Sequence, residues 1–285
     1  MVKQHISKIP ARKLGTHKGD FGHVLILAGS RGMTGAAYLA SQAALRSGSG
    51  IVTCGIPESL NQIMEIKLTE AMTLPLPETK DASLALSSKV AIVEFSRKVD
   101  AVAIGPGISR HKDTQKLVLA LLKNLDKPLV LDADGIIALE NNCGFLKKRS
   151  LPTILTPHPG EMSHIVGRDV RTIQENRKDI ALSFAKKHKV ILVLKGHQTV
   201  VCDPEGNVYI NKTGNSGMST AGAGDVLTGM IASFVGQGIA PYSAAVIAVY
   251  LHGLAGDFAA KDKGQFSLIA TDILDRLPEA IKETI

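Results

Sequence analysis

The chain has 285 residues, of which 45% are apolar and 21% charged, with 27 glycines and 12 prolines. Those proportions carry a substantial core and exclude a disordered or fibrous chain, and the length fits one large α/β domain. Lys and Arg number 33 against 26 Asp and Glu, a formal net charge of +7 that admits a phosphorylated small molecule, but only 4% of residues are aromatic, none of them Trp, and the basic clusters are short, so no nucleic acid and no membrane is expected as a partner.

The first residues, MVKQHISKIPARKLG, lack the apolar stretch of a secretory signal, and no later run approaches the ~18 apolar residues of a membrane span. A cytoplasmic protein is the expectation. A strand at 23–28 (HVLILA) leads into GSRGMTGAA (29–37) and a helix at 36–47. Glycines 29, 32 and 35 do not form G-x-G-x-x-G, so a Rossmann oxidoreductase has little support, and tight-turn glycines are an equally good account. Strands follow at 50–56 (GIVTCGI), 100–105 (DAVAIG), 128–133 (PLVLDA), 152–155 (PTIL) and 190–196 (VILVLKG), with helices at 113–123 and 171–188. These are continuous apolar runs, as strands buried on both faces are, and their alternation with helices predicts a parallel sheet. Between 190 and 212, VILVLKG, TVVCDP and NVYINK are separated only by GHQ and EG, so antiparallel hairpins at one edge are predicted. Helices at 225–235, 242–260 and 272–282 complete the chain; Val226, Leu227, Met230, Ile231, Phe234 and Val235 recur at helical spacing in the first and should face the sheet. The fold class is α/β: a mostly parallel central sheet with helices on both faces and an antiparallel edge. Cys54, Cys143 and Cys202 are far apart with no C-x-x-C, and no H-E-x-x-H pattern exists, so buried free thiols are expected.

Ligands of open α/β sheets sit beyond the carboxyl ends of the strands. The most informative stretch is TGNSGMSTAGAGDVLTG (213–229), in which Gly214, Gly217, Gly222 and Gly224 precede a buried helix. A helix N-terminus presents unpaired N–H groups and about half a unit of positive charge, so a phosphate can dock there without a cationic side chain. No Walker A pattern runs through it. Asp225, where loop becomes helix, has two readings: a first-turn carboxylate complementing the helix dipole, or a general base beside a bound phosphate.

Taken together, this loop, LTPHPGE (155–161), LKGHQTVV (194–201), LDADG (131–135), IGPG (104–107) and the opening HKGDFGHVLILAGSRGMTGAAYLA (17–40) resemble the ADP-dependent NAD(P)H-hydrate dehydratases of the ribokinase-like superfamily. The resemblance runs from about residue 17 to 277, which implies one ribokinase-like dehydratase domain over 1–285, with 1–16 as an N-terminal extension and no fused epimerase domain. It implies that a nucleotide, ADP in the stand-alone type, phosphorylates the hydroxyl of hydrated NADH or NADPH (NADHX, NADPHX) and that phosphate then leaves, giving NAD(P)H, AMP and phosphate. Asp225 matches the base, and the N–H groups of Ala223, Gly224 and Asp225, following Gly222, match the anion hole. Ala37, Gly107 and His158 match substrate-binding positions. Lys195, Gly196, His197, Gln198 and Thr199, with Gly224, match the nucleotide site, for which a hairpin turn with a solvated Lys is the plain alternative.

Mg²⁺ is the implied cofactor. Glu161 resembles an acid that organises its water, while Pro159-Gly160-Glu161 also reads as a helix start. Asp132 and Asp134 have either an indirect Mg²⁺ role or ordinary cap and turn roles. His252, in an apolar helix, is expected to be a packed core histidine. Ala223 stands where the family usually has Thr or Ser, so any hydroxyl contact there is lost. A homotetramer is implied by the resemblance, and a small-molecule kinase of the same superfamily, of the thiamine-precursor or pyridoxal type, is the alternative.

Overall fold

The computed structural model describes residues 2–285. Its strands are β1 (His23–Leu27), β2 (Ile51–Pro57), β3 (Met72–Leu76), β4 (Ala101–Ile104), β5 (Leu129–Leu131), β6 (Thr153–Leu155), β7 (Ile191–Leu194), β8 (Val200–Cys202) and β9 (Val208–Ile210). They form one nine-stranded sheet in the order β3-β2-β1-β4-β5-β6-β7-β8-β9. Every pairing from β3 to β7 is parallel, whereas β7–β8 and β8–β9 are antiparallel. The predicted hairpin edge is therefore present. Strand β3 was not predicted, because Met72–Leu76 is short, carries Pro75 and buries only Leu76 fully. It forms the other edge, where a sheet tolerates proline.

Alternation along each strand divides the core in two. Val24 and Ile26 face one layer, with the helices Thr34–Arg46, Ala223–Gly236, Pro241–Lys263 and Ala270–Lys282; Leu25 and Leu27 face the other, with Lys112–Asn124 and Arg177–His188. The expected 171–188 helix is two, Val170–Glu175 and Arg177–His188, broken at Asn176, whose backbone (φ −126°, ψ 34°) leaves the helical region. One helix, Pro241–Lys263, is long and apolar enough to cross a membrane, which corrects the expectation that no segment approaches that length; most of it is buried among its neighbours. The N-terminal segment also docks: His5 is buried, and its Nδ1 lies 3.0 Å from Ser243 Oγ at the start of that helix. No cysteine is paired; Cys54 and Cys202 are buried and Cys143 half-buried.

The strand order reverses between β1 and β4, which places the loops after them at the topological switch point. Gly29 N–H donates to Pro106 O (2.8 Å) and Ser30 Oγ to Gly107 O (2.8 Å), locking the two loops together.

Candidate active site

The glycine-rich loop ends at Gly222, whose left-handed backbone (φ 91°) turns the chain into the helix Ala223–Gly236. A Cβ there would stand 2.5 Å from Leu39 Cδ1 and 3.0 Å from Ala270 Cβ, so the turn has room only for glycine. No side chain caps the helix. Ala223 N–H reaches back to Thr220 O (3.4 Å) and Val226 N–H to Gly222 O (3.2 Å), leaving the amides of Gly224 and Asp225 without a backbone acceptor among the described residues. The free amides at this helix start are therefore those of Gly224 and Asp225. The side chain of Ala223 is buried beneath them.

Asp225 lines the same cavity, and no described group hydrogen-bonds its carboxylate. Burial, then the negative charge of Asp132, raises its pKa to about 7, against the pull of Lys195.

Opposite the helix stand the ends of β5, β6 and β7. Asp132, 1% exposed, follows β5 and is a hub: its Oδ1 accepts from Lys195 Nζ (2.6 Å) and Thr156 Oγ1 (2.7 Å), and its Oδ2 from Thr228 Oγ1 (2.7 Å). It caps no helix. Gly105 permits this packing, because a Cβ there would collide with the Asp132 carbonyl. Asp134 ties in the loop after β4 instead of closing its own turn, accepting from Ser109 N–H (3.1 Å) and Arg110 Nε (3.2 Å). Lys195 is no solvated hairpin lysine; burial works against its charge, but Asp132 and Glu161 outweigh that and raise its pKa.

After β6, Pro159–Val166 begins as a capping box, as the Pro-Gly-Glu run suggests. His158 Nδ1 accepts from Gly160 N–H (2.9 Å) and Glu161 N–H (3.2 Å), while Glu161 Oε2 accepts from His158 N–H (2.7 Å). An Nδ1 that accepts twice places the ring proton on Nε2, 3.3 Å from Glu161 Oε1, and burial with Lys195 nearby lowers the His158 pKa, keeping the ring neutral. Burial raises that of Glu161, and Lys195 Nζ stands 3.6 Å from its Oε2.

These residues surround one cavity of about 600 Å³, lined by His158, Glu161, Lys195 to Thr199 and Gly222 to Asp225. Most of the expected site is thus brought together. Ala37 and Gly107 do not line it. They lie at the switch point, where Ala37 is 0% exposed and Gly107 (φ 62°) leaves no room for a Cβ against Met33 and Ala36. His252, packed within its apolar helix as expected, also lines the cavity, its Nε2 2.9 Å from Ala223 O. Asn211 and Asn215 also line it, and nothing in their sequence setting marks them out.

The family model described as NAD(P)H-hydrate dehydratase matches residues 24–279. The chain is 46% identical over 276 residues to the bifunctional NAD(P)H-hydrate repair enzyme Nnr of Moorella thermoacetica, covering 97% of this chain and 52% of that one, so it spans about half the length of such relatives. It is 35% identical over 282 residues to the ADP-dependent (S)-NAD(P)H-hydrate dehydratase of Bacillus subtilis, covering 99% of this chain and 97% of the other. The crystal structure of the Bacillus subtilis ADP/ATP-dependent NAD(P)H-hydrate dehydratase co-crystallized with ATP/Mg²⁺ aligns with a TM-score of 0.85 at 32% identity, covering 100% and 98% of the two chains. With a model matched over most of its length and a full-length relative above 30% identity, the chain belongs to the NAD(P)H-hydrate dehydratase family.

Proposed function

We propose that the protein is an ADP-dependent (S)-NAD(P)H-hydrate dehydratase that converts NADHX or NADPHX and ADP to NAD(P)H, AMP and phosphate. The carrying observation is a carboxylate, raised to about 7, on the first turn of a helix, with neither it nor the Gly224 and Asp225 amides bonded among the described residues.

Hydroxide is a poor leaving group and phosphate a good one. In the first step the ring hydroxyl attacks the terminal phosphorus of ADP, the bond to AMP breaks, and Asp225 takes the hydroxyl proton. The Gly224 and Asp225 amides receive the charge of the moving phosphoryl group, and Lys195, beside Gly224, adds a cation. Loss of phosphate from one ring carbon and a proton from its neighbour then restores the double bond. Lys195 to Thr199 hold the nucleotide, and His158 faces the dinucleotide. Ala37 and Gly107 serve it through the backbone shape of the switch-point loops, since Ala37 exposes no surface.

Among the described residues no three His, Cys, Asp or Glu side chains gather to hold a metal ion, and Asp132 is already satisfied by Lys195 and two threonines. A Mg²⁺ here would be held mainly by the phosphates, with Glu161 the cavity acid that would help to hold it. When bound, Mg²⁺ supplies neutralising charge to the phosphates. By resemblance to the family we take the enzyme to act as a homotetramer in the cytoplasm.

The test is to mix protein, Mg²⁺ and hydrated NADPH with ADP or ATP and follow the return of reduced-nicotinamide absorbance. Recovery with ADP is expected. No recovery with either nucleotide, together with phosphorylation of a thiamine precursor or pyridoxal, would replace this reading with the kinase one.

A further inference from the structure

The segment YLHGLAGD (250–257) lies within the helix Pro241–Lys263, and the reaction outlined above uses none of it. It is nevertheless wrapped by the glycine-rich loop. At the start of the loop, Thr213 Oγ1 donates to Tyr250 O (2.8 Å), Gly214 N–H to Asp257 Oδ2 (2.9 Å), and Asn215 Nδ2 to Asp257 Oδ1 (3.0 Å) and Gly256 O (2.9 Å). At its end, His252 Nε2 lies 2.9 Å from Ala223 O. Between these grips the loop presses on bare backbone: a Cβ on Gly253 would collide with Thr213, and one on Gly256 with Met218. Residues 250, 253, 256 and 257 recur at helical spacing with His252 beside them, so one side of the helix makes all these contacts.

The contact to Ala223 O bears on the anion hole through the geometry of one peptide. That carbonyl shares a planar trans unit with the N–H of Gly224, and the two point in opposite directions. Whatever fixes the carbonyl fixes the amide. Burial lowers the His252 pKa to about 4, so the ring is neutral near pH 7; since a carbonyl only accepts, Nε2 carries the proton.

We propose that His252 and Asp257 are positioning residues of the anion hole: Asp257 anchors the start of the loop, and His252, by holding the Ala223 carbonyl, fixes the direction of the Gly224 N–H. The inference rests on reading this loop as the phosphate site. Neither residue is assigned a contact with substrate.

The experiment compares the whole chain with H252Q, which keeps a side-chain N–H, H252L, which has none, and D257A. It measures ADP affinity by calorimetry, kcat and KM with hydrated NADPH, and the melting temperature. In H252L, kcat and ADP affinity should each fall about 10- to 100-fold, less than the ~10²–10³ lost when an oxyanion donor is itself removed, with KM for the dinucleotide nearly unchanged. H252Q should recover most of that loss, and D257A should weaken ADP binding at least ~10-fold. Equal impairment of H252Q and H252L, or unchanged ADP affinity in a folded H252L, would overturn the proposal. If H252L does not fold, D257A decides: undiminished ADP affinity overturns it. A wild-type protein that binds ADP but does not restore NADPH would remove the dehydratase reading alone, since the affinity series still applies. One that binds no ADP would remove both.

Discussion

Lys195 Nζ lies 2.6 Å from Asp132 Oδ1, joining the end of β7 to the end of β5 across β6, with the carboxylate 1% exposed. A buried charge stripped of its partner is costly. Lys195→Met or Asp132→Leu alone should each destabilise the fold by about 3–5 kcal/mol, whereas the double variant should lose distinctly less than the sum. Urea unfolding of the three variants measures this; additive losses would show that the two charges act independently.

Asp225→Asn removes the base and leaves the helix start intact. Turnover should fall by roughly 10²- to 10⁴-fold while ADP affinity stays close to wild type. Near-normal turnover would remove the base assignment.

The pH dependence follows from the same carboxyl. Burial lifts Asp225 to about 7, and a base works only when ionised, so kcat should fall by about tenfold per pH unit below that value. Stability runs the other way. Because the folded value lies above the ~4 of an unfolded Asp, the contribution to stability is complete below ~4 and is lost as pH rises through about 7. Asp225→Asn should therefore melt a few degrees above wild type at pH 8 and not at pH 4. A variant that melts lower at pH 8 would contradict the assigned shift.

Two glycines two positions apart should fail in different ways. A Cβ at Gly224 stands 3.2 Å from Lys195 Nζ, which need give by only a few tenths of an ångström and can do so without leaving Asp132, so Gly224→Val should fold but weaken ADP binding at least ~10-fold. Gly222→Ala places a side chain at φ 91° against Leu39 and should cost about 1–3 kcal/mol of stability. Calorimetry and thermal melting separate the two.

The layered sheet, its hairpin edge and the Gly222 to Asp225 turn were legible because each depends on local pattern: apolar runs, loop length, and glycine before a buried helix. Strand β3 was hidden by its exposed edge position and Pro75, and the break at Asn176 by the lack of any Gly or Pro in QENRKD (174–179) to mark it. Asp132 was visible as an acid at a strand end, but its role was not. That role appears only when β5, β6 and β7 lie side by side and bring Thr156 and Lys195 to one carboxylate. His252 was legible as a packed histidine of an apolar helix, but not its bond to Ala223, because a polar tip reaching a distant carbonyl leaves no periodic trace.

Strand β3 also bears on how the molecule behaves among its own copies. An open sheet offers each rim to any passing extended segment, which can extend the ladder and start aggregation. At this rim Pro75 withholds an N–H that a newcomer would need, so a second molecule docking there meets an interrupted row of donors. The residue that obscured the strand also guards it: replacing Pro75 with valine, which restores the donor in a strand-favouring side chain, would make a crowded solution of this protein more prone to clump.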